Sequence, residues 1–351
     1  MRGRRQAARS IARVPAVALI VMAGALVIGA CSTAPIDQGS GSVISSAHLR
    51  NGPATAELPQ SDVAPVVTNP TPQLPATVDS AGHGKVTVTD ASRIISVDRN
   101  GTLGNIVFAL GLGSHVVGRD TSTAFPSAVH LPLVTNTGHT LNAEAVLALH
   151  PSVVLVDEQT IPPQAVDQIR ESNIPVVEFS STRSLASTPT LIRAVAATLG
   201  VHDAGEALVR RTEDQIAAAR RSVPNPSGNP TIAFVYIRGP HLVLLAGPGS
   251  GADDLINSLG GKDAADAADL SGAFTAITAE AMVKANPDVI MVMTQGADSV
   301  GGIDGVLKLP GIADTNAGRA RRVVQMDQTE ILAFGPDTGQ VLGSLARAIY
   351  V

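Results

Sequence analysis

The chain has 351 residues, with 25 Lys and Arg against 30 Asp and Glu, a formal net charge of −5 and 44% hydrophobic residues. That length and apolar content suffice for two lobes of ordinary domain size, and the acidic balance argues against a nucleic-acid binder. One cysteine, two tyrosines and no tryptophan leave no disulfide framework, so the fold must rest on its hydrophobic core.

Arg2, Arg4, Arg5, Arg9 and Arg13 precede an apolar run from Val14 to Ala30, interrupted by Pro15 and glycines. A basic region, a short apolar core and small residues before a cleavage point describe a secretory signal over residues 1–30 rather than a membrane span. The single cysteine, Cys31, directly follows Ile28-Gly29-Ala30. This arrangement resembles the lipobox of bacterial lipoproteins, which implies that Cys31 is lipidated and anchors the mature chain through two acyl signals. Loss of residues 1–30 removes five arginines and no acid, leaving 20 Lys and Arg against 30 Asp and Glu. Residues 31–90 are rich in Ser, Thr, Gly and Pro and show little periodicity. They are expected to form an extended, mostly disordered tether, with His83 in solvent.

A first α/β lobe is expected over residues 91–185. It has short strands at 93–97 and 116–118, a helix over 101–112, a helix near 162–172 and a strand at 174–179. Residues 186–229 read as linking helices, Thr190–Gly200 and Asp203–Val223. The second has no internal Gly or Pro beyond Gly205 and spans about 30 Å at 1.5 Å per residue. Residues 230–351 read as a second lobe, with strands Thr231–Ile237 and Leu242–Leu245 and a helix Gly251–Leu259. The lobes share a spaced pattern. Asn142 and Thr278 each precede a Glu (Glu144, Glu280) by two residues, a Pro (Pro151, Pro287) follows seven later, and an apolar strand begins two beyond it. The expected fold is therefore α/β, with two Rossmann-like lobes joined by a long spanning helix and a cleft between them, where small ligands bind. Such a helical spine resists wide hinge bending.

Strand alternation places Phe234, Tyr236 and Arg238 on one face. A guanidinium two residues from a phenol can hydrogen-bond the phenolic oxygen, which makes Tyr236 a candidate ligand for Fe(III); half-buried packing is the other reading. His139 lies on a loop leading into the helix capped at Asn142, a place that faces a cleft, although a loop histidine is commonly just solvated. Gly247-Pro-Gly-Ser250-Gly-Ala follows a strand and opens a helix, but its glycine spacing is not that of a dinucleotide fingerprint. No Ser-His-Asp set, metal-ligand cluster or phosphate loop has supporting context, so binding rather than catalysis is expected.

Six stretches carry a family resemblance: Arg93–Val97, Val117–Asp120, Gly138–Glu144, Phe234–Gly239, Gly247–Ala252 and Phe334–Pro336. Together with the lipobox and spanning helix, they make the chain similar to the substrate-binding lipoproteins of ABC importers for haem, cobalamin and ferric siderophores. Within that group it most resembles the HmuT-type haem-binding proteins, of the class III periplasmic-binding-protein architecture. The resemblance implies haem b as transported ligand, with His139 and Tyr236 coordinating its iron from opposite faces and Arg238 hydrogen-bonding the tyrosine. Phe234, Phe274, Met291 and Met293 are the expected greasy walls, and Ser250, at a helix N-terminus, the expected place for a propionate. Glu144 and Glu280 would dock on the ABC permease, although acids also favour a first helical turn on their own account. Further implications are an ATPase partner, upstream cell-surface haem receptors, a monomeric state and an extracytoplasmic, lipid-anchored location. The rival expectations are a ferric-siderophore or cobalamin receptor, an extracellular metalloenzyme using His139, and a structural envelope lipoprotein.

Overall fold

The structure, a computed structural model, describes residues 49–224 and 228–351. The expected signal, Cys31 and the first part of the tether lie outside the described residues. From Leu49 onward the chain belongs to the folded body, which corrects the expected disordered tether. Leu49 bridges Tyr350, and β1 (Ala54–Thr55) adds a parallel edge strand beside Val323–Met326. Val63, Val66 and Leu74 pack on the first lobe's core, while the Val66 and Gln73 N–H groups donate to the Ala109 and Gly200 carbonyls. The hairpin β2 (Ala76–Ser80) and β3 (Gly84–Val88) follows, and His83 at its turn pairs with Glu178 at 3.1 Å. The isolated apolar contacts and single backbone bonds of residues 49–74 have no period and leave no trace in a periodicity reading, whereas the hairpin strands do alternate in burial.

The first lobe runs β4 (Ile94–Val97), α1 (Thr102–Ala109), β5 (Val116–Arg119), α2 (Ala143–Ala148), β6 (Val153–Asp157), α3 (Pro163–Glu171) and β7 (Val176–Phe179). Its four strands are parallel in the order β5-β4-β6-β7. β4 and β6 are buried along their whole length, as a parallel sheet covered on both faces requires. The linking helices are α4 (Thr188–Thr198) and the 21-residue α5 (His202–Ser222).

The second lobe contains β8 (Thr231–Ile237), β9 (Val243–Ala246), α6 (Ala252–Ser258), β10 (Lys262–Asp263), α7 (Ala264–Ala267), β11 (Phe274–Ala276), α8 (Ala279–Ala285), β12 (Val289–Met293) and β13 (Val323–Met326), and closes with the helix Thr338–Ile349. Its main path is β1-β13-β12-β8-β9-β11. The segment β9-β8-β12-β13 matches β5-β4-β6-β7 position for position, with one difference: β9 is antiparallel to β8 where β5 is parallel to β4. The reason is the connection. β4 reaches β5 through α1, whereas only five residues join β8 to β9, and a link that short permits only an antiparallel neighbour. The shared helix starts are also alike: the Asn142 side chain accepts from the Ala145 N–H, and the Thr278 hydroxyl accepts from the Ala281 N–H.

α5 is held from two sides. Gly205 on α5 approaches Ala196 of α4, and Gly339 of the C-terminal helix lies so close to α5 that a Cβ there would stand 2.5 Å from the Gln215 backbone and 2.6 Å from the Ile216 nitrogen. A row of main-chain acceptors in the second lobe also takes bonds from the first lobe and from the linking helices. Asn100 donates to the Leu332 carbonyl (3.1 Å), Thr102 to Ala333 (2.5 Å), Thr188 to Phe334 (2.9 Å) and Thr212 to Pro336 (3.3 Å).

Candidate ligand-binding cleft

A cavity of about 1000 Å³ lies between the lobes, at the upper end of ordinary small-molecule pockets. Both expected iron ligands line it: His139 from the first lobe and Tyr236 from the second. His139 follows Gly138 in a tight turn in which both residues adopt left-handed backbone, φ 75° and φ 64°. Histidine tolerates this better than most side chains, and the turn lifts the imidazole out of the loop. Its Nδ1 lies 3.4 Å from the Ser122 hydroxyl, which in turn donates to the Arg99 carbonyl at 2.6 Å. Burial, then the charges of Arg99 and Arg238, hold the His139 pKa below the usual 6.5, against an opposing pull from Asp98. The imidazole is thereby kept in the neutral form that ligates metal.

Tyr236 sits one residue before the end of β8 and meets Phe274 edge to face, with ring centroids 5.8 Å apart. Arg238 does not hydrogen-bond the phenolic oxygen as expected. Its guanidinium lies over the Tyr236 ring, 4.7 Å from the centroid, and donates to the Ile237 carbonyl (3.1 Å) and the Gln328 side-chain oxygen (3.0 Å). The backbone carbonyl and Gln328 each accept one N–H of the fork, and the ring face supplies a cation–π contact.

Phe274 and Met293 reach the cavity, but Phe234 and Met291 do not. Both are fully buried, paired in register on β8 and β12, and covered by residues such as Leu255 and Ile256 of α6 and Leu345 of the C-terminal helix. Phe234 shares its strand face with Tyr236, but two residues of rise carry it from the cavity into the core. Ser250 lines the cavity, yet the turn before α6 is not the expected anion site. Its Gly249 and Gly251 N–H groups already donate to the Asp253 carboxylate (2.9 and 3.0 Å), and the Ala252 N–H donates to the Ser250 hydroxyl (3.1 Å). Asp253 and Asp254 give this wall negative charge. Glu144 and Glu280 are exposed in the first turns of α2 and α8, one per lobe.

The sequence reading missed an ion cluster beneath the cavity. Arg183 lines it and bridges Asp98 (3.3 Å) and Asp157 (3.1 Å), with all three side chains buried. Asp98 also accepts from the Thr102 and Leu103 N–H groups at the start of α1, and its own N–H donates to Asp120. Burial, then the Asp98 charge, push the Asp120 carboxyl up to about 7. The same two causes push Asp157 up to about 6, with Arg183 opposing them. The available signal was position: Asp98, Asp120 and Asp157 all stand at the carboxyl ends of parallel strands, where such sheets form ligand crevices. Among the described residues, no three His, Cys, Asp or Glu side chains converge to hold a bare metal ion.

Residues 100–330 match the family described as periplasmic binding protein. The structure is similar to the crystal structure of the heme binding protein HmuT, with 38% identity, a TM-score of 0.80 and coverage of 86% of this chain and 98% of that one. Variants of HmuT have been solved with alanine replacing a histidine, a tyrosine and an arginine two residues past the tyrosine. An ABC transporter substrate-binding lipoprotein of Bacillus subtilis, YvrC, is 27% identical over 281 residues, which is 79% of this chain and 86% of YvrC. A cobalamin-binding protein of Halobacterium salinarum is 23% identical over 314 residues, 88% of this chain and 83% of its own length.

Proposed function

We propose that this chain, which belongs to the periplasmic binding protein family, captures haem outside the cell and delivers it to an ABC importer. The observation that carries the reading is that His139 and Tyr236, one from each lobe, line the same cavity. Imidazole and phenolate are both good ligands for ferric haem iron. Phe274, Leu244, Met293 and Leu332 offer apolar contact for a macrocycle, and Arg238 over the Tyr236 ring offsets the charge of an iron-bound phenolate. The HmuT variants support the pairing, since the same three residue types occur here in the same order with the same tyrosine–arginine spacing. The family is one of binding proteins rather than enzymes.

In this reading Cys31 carries the lipid anchor, Glu144 and Glu280 meet the permease, and the permease separates the lobes to release the ligand. The test is a haemin titration of the soluble chain starting after Cys31, read by absorbance, beside His139→Ala, Tyr236→Phe and the double variant. We expect a Soret shift in the parent chain, an altered spectrum in each single variant and loss of the ligated spectrum in the double. Unaltered spectra in both single variants would overturn the site. A parent chain that ignores haemin but binds cobalamin, as the Halobacterium relative's name prompts, would replace haem with the second ligand.

A further inference from the structure

Three arginines line the cavity, and two of them are engaged. Arg183 is spent on Asp98 and Asp157, and Arg238 on Ile237, Gln328 and the Tyr236 ring. The Arg99 side chain is exposed to the cavity and makes no hydrogen bond or ion pair among the described residues. Its root is nonetheless fixed. Asp98 before it is buried and caps α1, Asn100 after it donates to Leu332, and its own carbonyl accepts from Ser122. Ser122 is also the residue beside His139, and the Arg99 charge is felt by that imidazole together with that of Arg238. The wall formed by the turn before α6 has the opposite sign, with Asp253 and Asp254. A cation with a pinned backbone and an unpartnered head therefore stands next to one candidate iron ligand, in a cavity whose other wall repels anions.

We propose that Arg99 receives a haem propionate carboxylate and so fixes the in-plane orientation of the macrocycle, with its propionate edge toward Arg99 and away from Asp253. This rests on the haem reading. A guanidinium is suited to the role because its planar fork meets a carboxylate bidentately. Arg99 does not touch the iron; it discriminates the acid form of the porphyrin from an uncharged one and positions it.

The test compares haemin with haemin dimethyl ester on the mature chain, which retains every described residue. Wild type, Arg99→Gln and Arg99→Lys are titrated and followed by Soret absorbance. Wild type should hold haemin about tenfold tighter than the ester. Arg99→Gln should bind haemin as weakly as the ester, with ester affinity and Soret position unchanged, and Arg99→Lys should recover part of the preference. Equal wild-type affinity for acid and ester, an undiminished preference in Arg99→Gln, or an equal loss for both ligands would overturn the assignment. Absence of any Soret response in wild type would instead overturn the haem reading beneath it.

Discussion

Two glycines one helical turn apart on the C-terminal helix should respond in opposite directions to the same substitution. Gly339→Ala would place a Cβ 2.5 Å from the Gln215 backbone carbon and Cβ and 2.6 Å from the Ile216 nitrogen. Ordinary contacts there are 3.4 Å or longer, so the helix must back away from α5 by close to an ångström, and helix backbone cannot yield as a side-chain tip can. Overpacking of this kind costs about 1–3 kcal/mol. Two contacts of 2.5 Å argue for the upper half of that range, while the alanine returns up to about 1 kcal/mol of helix propensity. The net expectation is a loss of about 1–2 kcal/mol. Gly343→Ala, by contrast, meets only the Arg347 guanidinium at 3.4 Å and the Ala219 Cβ at 4.0 Å. It should keep the propensity gain and stabilise by about 0.5–1 kcal/mol. Guanidinium denaturation of both variants beside wild type measures the difference, with midpoints moving in opposite directions. If Gly339→Ala proved neutral or stabilising, the close approach of the two helices would be wrong.

Arg183→Met should destabilise by about 3–5 kcal/mol at pH 8, because Asp98 and Asp157 would be left buried and facing each other; the loss should shrink near pH 5 as carboxyls such as Asp157 protonate, and an equal loss at both pH values would contradict the assigned cluster. Asp120, Asp157 and Glu330 all have folded pKa values raised above their unfolded ones, to about 7, 6 and 7. The folded chain thus keeps protons that the unfolded chain releases between about pH 4 and 7, so stability falls as pH rises through that window. Thermal melts should show a higher midpoint at pH 5 than at pH 7.5, and the reverse order would refute this. In the ligand-free chain, the lowered His139 pKa predicts an imidazole NMR titration centred below pH 6.5, and a midpoint at or above that value would count against the surroundings assigned to it.

What was legible in the sequence depended on whether a residue's role left a period or a position. Thr231–Ile237 and Val289–Val292 read as strands because their apolar runs are continuous and short, and α5 read as one helix because no proline interrupts it. Tyr236 and His139 could be singled out because each stands at an element's end. Depth along a strand is different. Alternation gives the face but not how far a neighbouring helix reaches, so Phe234 and Met291 looked like cavity walls and are core. The pairing of Arg183 with Asp98 and Asp157 joins residues 85 and 26 positions apart, a separation no local pattern records. Arg238 shows a further limit: the strand pattern puts it beside Tyr236, but its other partner, Gln328, starts a helix 90 residues further along the chain.

The four carbonyls from Leu332 to Pro336 are main-chain atoms, so exchanging side chains in that loop leaves every acceptor in place. The grip is set by its donors, and these belong to two different bodies. Asn100 and Thr102 lie in the first lobe, whereas Thr188 and Thr212 ride on the linking helices. A rotation that separates the lobes while the second stays seated on α5 must part the first pair and can spare the second. Asn100 and Leu332 both border the cavity, whereas neither partner of the other three bonds does. A separation of the lobes would then be a peel, starting at the one bond of the four that faces the cavity.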